Sequence, residues 1–215
     1  MARTAGACGL ALVLALTAGC NVLGPIAYYL GPQRIQKPEY KLSETRPVAL
    51  VIEAASPAAN QPVFNETLSE SFLRVMSDKK SKVRFVPPRQ VAELRRRPDY
   101  ASWSLQRIGR ELEASEVLHV LVEELVVREN PVDPVISPRV LLRIKVIGVD
   151  QPSRSPRLWP DNELGQELIC TRPPQEALTA QEVDAALIKL ARDTSHRLAV
   201  FFTETDLETP LPTER

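Results

Sequence analysis

The chain has 215 residues, with 27 Lys+Arg against 27 Asp+Glu, 44% apolar content and 5% aromatic content. A net charge of +0 excludes the composition of a nucleic-acid binder, and the apolar content excludes a disordered chain. Three cysteines cannot build a disulfide scaffold, and the 19 prolines must gather in linkers and loops, since helix and central-strand interiors reject them.

Arg3 precedes an uncharged apolar run from Ala5 to Ala18, shorter than the ~20 residues that span a bilayer. A charged start, an apolar middle and small residues at the end are the layout of a signal peptide, expected over residues 1–19. The run closes on Leu16-Thr17-Ala18-Gly19-Cys20, which resembles the lipobox of bacterial lipoproteins; Thr17 departs from the commonest residue there, Leu. The resemblance implies an acylated Cys20 at the mature N-terminus, with palmitate among its chains and the membrane as partner. Asn21, rather than the Asp that retains enteric lipoproteins at the inner membrane, implies by the same resemblance an outer-membrane position facing the periplasm. An ordinary signal peptide with an incidental Cys20 is the alternative.

Residues 20–46 carry Gly24-Pro25, Gly31-Pro32 and Pro38 without a sustained period, and read as a semi-extended tether. One domain is expected over 47–203. Val48 to Ile52 is a continuous apolar run, the mark of a strand buried on both faces. Phe64, Leu68, Phe72, Val75 and Met76 recur at helical spacing, with Asn65 as the expected cap. Val83 to Val86 reads as a short strand stopped by Pro87-Pro88, followed by a basic helix over Gln90 to Arg97 and an apolar stripe at Leu105, Ile108 and Leu112. Val117 to Val127 is the longest apolar strand. In Val140 to Val149, Leu142, Ile144 and Val146 alternate with Arg143 and Lys145, and Arg157 to Trp159 adds a short strand. Thr179-Ala180-Gln181-Glu182 is a capping box opening a long helix, and 204–215 reads as a disordered acidic tail. The expected class is α/β (α+β): a single mixed sheet of about four or five strands with three or four helices, in the order β-α-β-α-α-β-β-(β)-α.

The stretch Ile108-Gly109-Arg110-Glu111-Leu112-Glu113-Ala114, a helix end running directly into a strand, resembles one superfamily of bacterial envelope domains. Its members include curli-secretion channel lipoproteins, penicillin-binding-protein activator lipoproteins and the amino-terminal domain of the Tol translocation protein. The strand at Val48, the helix from Asn65 and Val91-Ala92-Glu93-Leu94 extend the match. The resemblance implies binding to another envelope protein and brings no catalytic residue. It does not imply a pore, because the strands lack the alternation of a membrane barrel.

Chemistry-bearing residues are few. His119 lies in an apolar strand and reads as a hydrogen-bonded core residue, Cys170 as a small buried hydrophobe. His196 and Ser195 are helix neighbours that do not face each other, and Glu123 and Glu124 fall on opposite faces of a strand. No metal, cofactor or catalytic motif is present at recognisable spacing, so no enzyme activity is expected. Charge is distributed unevenly: Arg74 to Arg110 carries a net +8 and Glu111 to Asp133 a net −6. These stretches either pair with each other inside the fold or leave Lys79, Lys80, Lys82, Arg95, Arg96 and Arg97 as a patch for an anionic partner. The function that follows is a membrane-anchored, non-catalytic adaptor in the cell envelope. The alternatives are an auxiliary subunit of an envelope transport or assembly machine, and a hydrolase or ligand-binding domain whose site is assembled from distant residues.

Overall fold

The computed structural model describes residues 35–130, 133–152 and 154–206. The chain divides into two units, of which Met1–Ile35 with Asp206–Thr209 lies almost wholly outside the described residues; the fold is that of Gln36–Thr205. Its elements are β1 (Val48–Ala54), α1 (Pro62–Asp78), α2 (Pro88–Arg95), a 3-10 turn (Tyr100–Ser102), α3 (Leu105–Glu111), β2 (Glu116–Val126), β3 (Val135–Ile136), β4 (Arg139–Gly148), β5 (Arg157–Trp159), β6 (Gln166–Thr171), β7 (Gln175–Glu176) and α4 (Ala180–Val200).

Five strands form one mixed sheet in the order β1-β2-β4, with β5 and β6 sharing the outer side of β4. β1 runs parallel to β2, and every other pairing in the sheet is antiparallel. β1 is buried on both faces, as its unbroken apolar run requires. Val48, Leu50 and Ile52 join Leu118, Val120, Val122, Leu142, Ile144 and Val146 against α1 and α4. On the opposite face, Ala49, Val51, Val117, Ile147 and Val149 pack under Trp103, α2 and α3. That second helical layer covers one end of the sheet only. The α/β class and a mixed five-stranded sheet are observed as expected from the sequence; in addition, β3 pairs antiparallel with β7 in a separate two-stranded sheet.

Several elements differ in detail. Helix α1 starts at Pro62, and Asn65 sits inside its first turn, its side-chain amide donating to Asn60 Oδ1. Proline takes the first helical position because that N–H has no partner in a helix and its φ is already set. Val83 to Val86 makes only a single bridge to β1, at Val48–Phe85, because Pro87-Pro88 cuts the pairing short. The basic helix runs two residues earlier than expected, opening at Pro88 and ending at Arg95. Strand β6 was not expected: Leu168, Ile169 and Cys170 are its only apolar residues, too few to set a period. The capping box stands as read, with Glu182 N–H donating to Thr179 Oγ1 and Thr179 N–H to Glu182 Oε2. Tyr40 and Leu42, placed by sequence in the tether, are fastened to the domain: Leu42 is buried and Tyr40 OH donates to Glu116 at 3.0 Å.

Candidate functional site

Cys20 lies outside the described residues. The six cations of the expected patch fall into two groups. Lys79, Lys80 and Lys82 follow the end of α1, just before the bridge to Val48. Arg95 is at the other end of β1, donating to the Ile52 carbonyl. Val48 and Ile52 are four residues apart, about 13 Å along a strand. Arg97 is drawn back onto the fold, paired with Glu111 at 3.2 Å and lying over the Trp103 ring, while Arg96 is exposed. The Arg97–Glu111 pair links the basic and acidic stretches. Three other acids of that stretch pair elsewhere: Glu116 with Tyr40 and Ser43, Glu123 with Arg143, Glu124 with Arg139.

The half of the second sheet face that α2 and α3 leave bare carries an ordered ladder of charges. Opposite Arg143 and Lys145 of β4 stand Leu121 and His119 of β2; on the other side Arg143 faces Glu167 of β6. Between Val122 and Glu124 the register slips, so two residues of β2 oppose one of β4. This bulge corrects the sequence expectation for the glutamate pair. Glu124 faces Leu141 on the same side as Leu121 and Glu123, so both carboxylates share the bare face. Each has its own arginine: Glu123 Oε2 accepts from Arg143 Nε at 2.9 Å, and Glu124 Oε1 accepts from Arg139 at 3.1 Å. Arg143 also reaches Glu167 Oε2 at 2.9 Å. Leu121 and Leu141 are half-buried among these pairs, and Ile169 is 53% exposed.

At the boundary of bare and covered halves, Glu53 Oε2 is hydrogen-bonded to His119 Nε2 at 3.0 Å and Glu53 Oε1 accepts from Tyr100 OH at 3.2 Å. The His119 hydrogen bond is the main reason the Glu53 carboxyl is held below its ordinary value, against the opposing effect of burial. A carboxylate depressed in the folded state contributes stability that is present above its unfolded value and lost as pH falls through its folded value. Acidification from about pH 6 to about pH 3 is therefore expected to lower the urea midpoint of the native chain more than that of Glu53→Gln. Equal losses in the two chains would remove Glu53 from the account.

The remaining chemistry-bearing residues are engaged in the fold. Ser195 is fully buried and its hydroxyl donates to the backbone carbonyl of Arg192 at 2.7 Å. Cys170 is 1% exposed, and burial pushes its thiol up, which disfavours the nucleophilic thiolate. His196 lines a polar groove of about 260 Å³ between α1 and α4, with Asp78 and Asp193 among its neighbours. No cluster of metal-ligating side chains occurs among the described residues, and none of the described helices is long and apolar enough to cross a membrane. A second cleft, of about 210 Å³, opens where α1 and α2 part over the outer edge of β1, between Glu66 and Glu70 on one rim and Arg95 on the other. It is formed where the parallel pairing at Val48 ends, a feature that Pro87-Pro88 marks in the sequence.

No protein-family model matches the chain, and no curated protein matches it. Among solved structures, a variant PelC of Paraburkholderia phytofirmans, described as a dodecamer, is 16% identical over 80% of this chain and 100% of that one, with a TM-score of 0.41. Lipoprotein GNA1162 of Neisseria meningitidis is 10% identical over 65% of this chain and 91% of its own, with a TM-score of 0.43. The hypothetical protein CT253 of Chlamydia trachomatis is 14% identical over 58% and 70%, with a TM-score of 0.34.

Proposed function

We propose that the chain is a non-catalytic interaction module of a bacterial cell envelope, anchored by acyl chains on Cys20 and acting as an adaptor for another envelope protein. Asn21 after the anchor favours the outer membrane, with the domain facing the periplasm. The observation that carries this reading is the bare half of the sheet. There Leu121, Leu141 and Ile169 reach toward solvent between ion pairs that hold Glu123, Glu124, Arg139, Arg143 and Glu167 in place. An apolar centre inside an ordered polar rim is the composition of a protein-binding surface. The engagement of Ser195, Cys170 and His119 in the fold supports an absence of covalent or acid–base chemistry. The mechanism is positional: the anchor concentrates the domain at the membrane, and the tether sets the shell it searches.

The test is expression of the full chain with Cys20 and as Cys20→Ser, with acyl-chain labelling and membrane sedimentation followed in both. Label and sedimentation are expected with Cys20 alone. A photocrosslinker at Ile169 in the same membranes should give an adduct of defined mass that Leu141→Arg abolishes. Absence of acylation in both forms would sink the envelope reading, and adducts indifferent to Leu141→Arg would sink the surface.

A further inference from the structure

The cleft over β1 exposes a short length of unpaired strand edge, and its rims indicate what fills it. At Val48 the edge is occupied: Val48 N–H donates to Arg84 O at 2.8 Å, and Val86 N–H donates to Val48 O at 2.9 Å. Outward-facing groups alternate along a strand, so the next residue to pair is Leu50. In this parallel register its carbonyl would accept from the amide of residue 88, and position 88 is Pro88, which has no N–H. Pairing stops there and α2 begins. At the far end Arg95 donates to the Ile52 carbonyl and closes the edge. Between these stops, the N–H and C=O of Leu50 and the N–H of Ile52 have no partner among the described residues.

The rim on α1 is rich in acceptors. Glu66 and Glu70 are one turn apart, exposed, and without an ion pair among the described residues. Two like charges at this spacing are mildly unfavourable in the free chain and become favourable when a cation sits between them. Asn65 Oδ1, on the same rim, is buried with no hydrogen-bond donor. The cation on the opposite rim, Arg95, is already turned to Ile52 and toward Glu53.

We propose that this cleft binds a short extended segment of a partner protein by strand addition to β1, with a Lys or Arg of that segment held between Glu66 and Glu70. The inference rests on the interaction-module reading and adds to it a second docking site, apart from the bare half of the sheet, with its own partner chemistry. Backbone bonds to Leu50 and Ile52 provide the affinity, and the acidic rim provides the selection against acidic segments. The window from Val48 to Arg95 admits about four residues of added strand.

The probes are two blocked synthetic peptides, one alternating Val with Lys and one alternating Val with Glu, added to the full chain carrying Cys20→Ser. The Val/Lys peptide is expected to bind and to slow hydrogen exchange at the Leu50 and Ile52 amides, with the Val/Glu peptide binding far more weakly. Glu66→Lys with Glu70→Lys is expected to weaken the Val/Lys peptide by about tenfold and to favour the Val/Glu peptide instead. Ala92→Trp, at an exposed position of α2 lining the cleft, should block both peptides while leaving the far-ultraviolet spectrum unchanged. No binding, equal binding of the two peptides, or binding indifferent to the charge reversal would overturn the proposal. Since this chain carries no acylation site at position 20, the outcome is separate from the anchoring test. An unlabelled Cys20 with an occupied cleft removes the envelope reading alone, and the reverse pattern removes the cleft alone.

Discussion

Gly109→Val is expected to lift α3 off the sheet and to cost about 3 kcal/mol from overpacking, which outweighs the few tenths of a kcal/mol by which valine exceeds glycine in helix propensity. A Cβ at this position would stand 2.3 Å from Val149 Cγ2 and 2.8 Å from Val117 Cγ2, closer than real contacts allow. Those valines stand just after β4 and at the start of β2, so neither withdraws without disturbing the sheet. The helix is only seven residues long, begins at a Ser104 cap, and holds one side of a core that includes Trp103, Ile108 and Leu112. The glycine in the Ile108-Gly109 pair thus marks the closest approach of helix to strand. Urea unfolding of Gly109→Val and Gly109→Ala would measure this. Alanine gains about 1 kcal/mol of helix propensity over glycine, so any net loss there reports crowding. A change within about 0.5 kcal/mol in both variants would show that α3 shifts freely.

Phe72→Ala is expected to cost about 4 kcal/mol, the usual range for an emptied aromatic site in a core. Phe72 is fully buried on α1 and meets Phe85 edge-on at 5.7 Å and Phe202 at 6.3 Å between ring centroids. It therefore ties α1 to the segment bridged with β1 and to the turn that follows α4, three parts of the chain that share no other aromatic centre among the described residues. Against a typical stability of ~5–15 kcal/mol such a loss brings the native state close to its limit. Thermal unfolding with Leu178→Ala as a control, at a position 76% exposed, would separate the cavity from a general effect of truncation. A midpoint equal to the control would mean that Phe85 and Phe202 repack around the space.

The parts of the fold that sequence foretold are those whose causes lie within one turn or one strand. Val48 to Ile52 is apolar without interruption and is buried on both sides; Leu142, Ile144 and Val146 alternate with Arg143 and Lys145 and face the core. Thr179 and Glu182 reach each other across three residues and start α4. Strand β6 escaped because Gln166, Glu167 and Thr171 give no pattern by themselves, and its place comes from pairing with β4. For the candidate site, the sequence indicated the short run of chemistry and the uneven charge, without their partners. Arg97 meets Glu111 across fourteen residues, but Glu123 and Glu167 converge on Arg143 from separate strands.

The sequence alone determined the α/β class, the identity of the main strands and helices, the cap of the last helix and the end of edge pairing at Pro88, because each follows from local periodicity or from a missing N–H. Tertiary structure decided what the polar residues do. A one-residue slip in β2 turned Glu124 to the side of Glu123, and the length of β1 separated Arg95 from Lys79, Lys80 and Lys82. Side-chain direction repeats along a strand and is readable in the chain, whereas register, bulges and the neighbour across a sheet depend on contacts between distant segments.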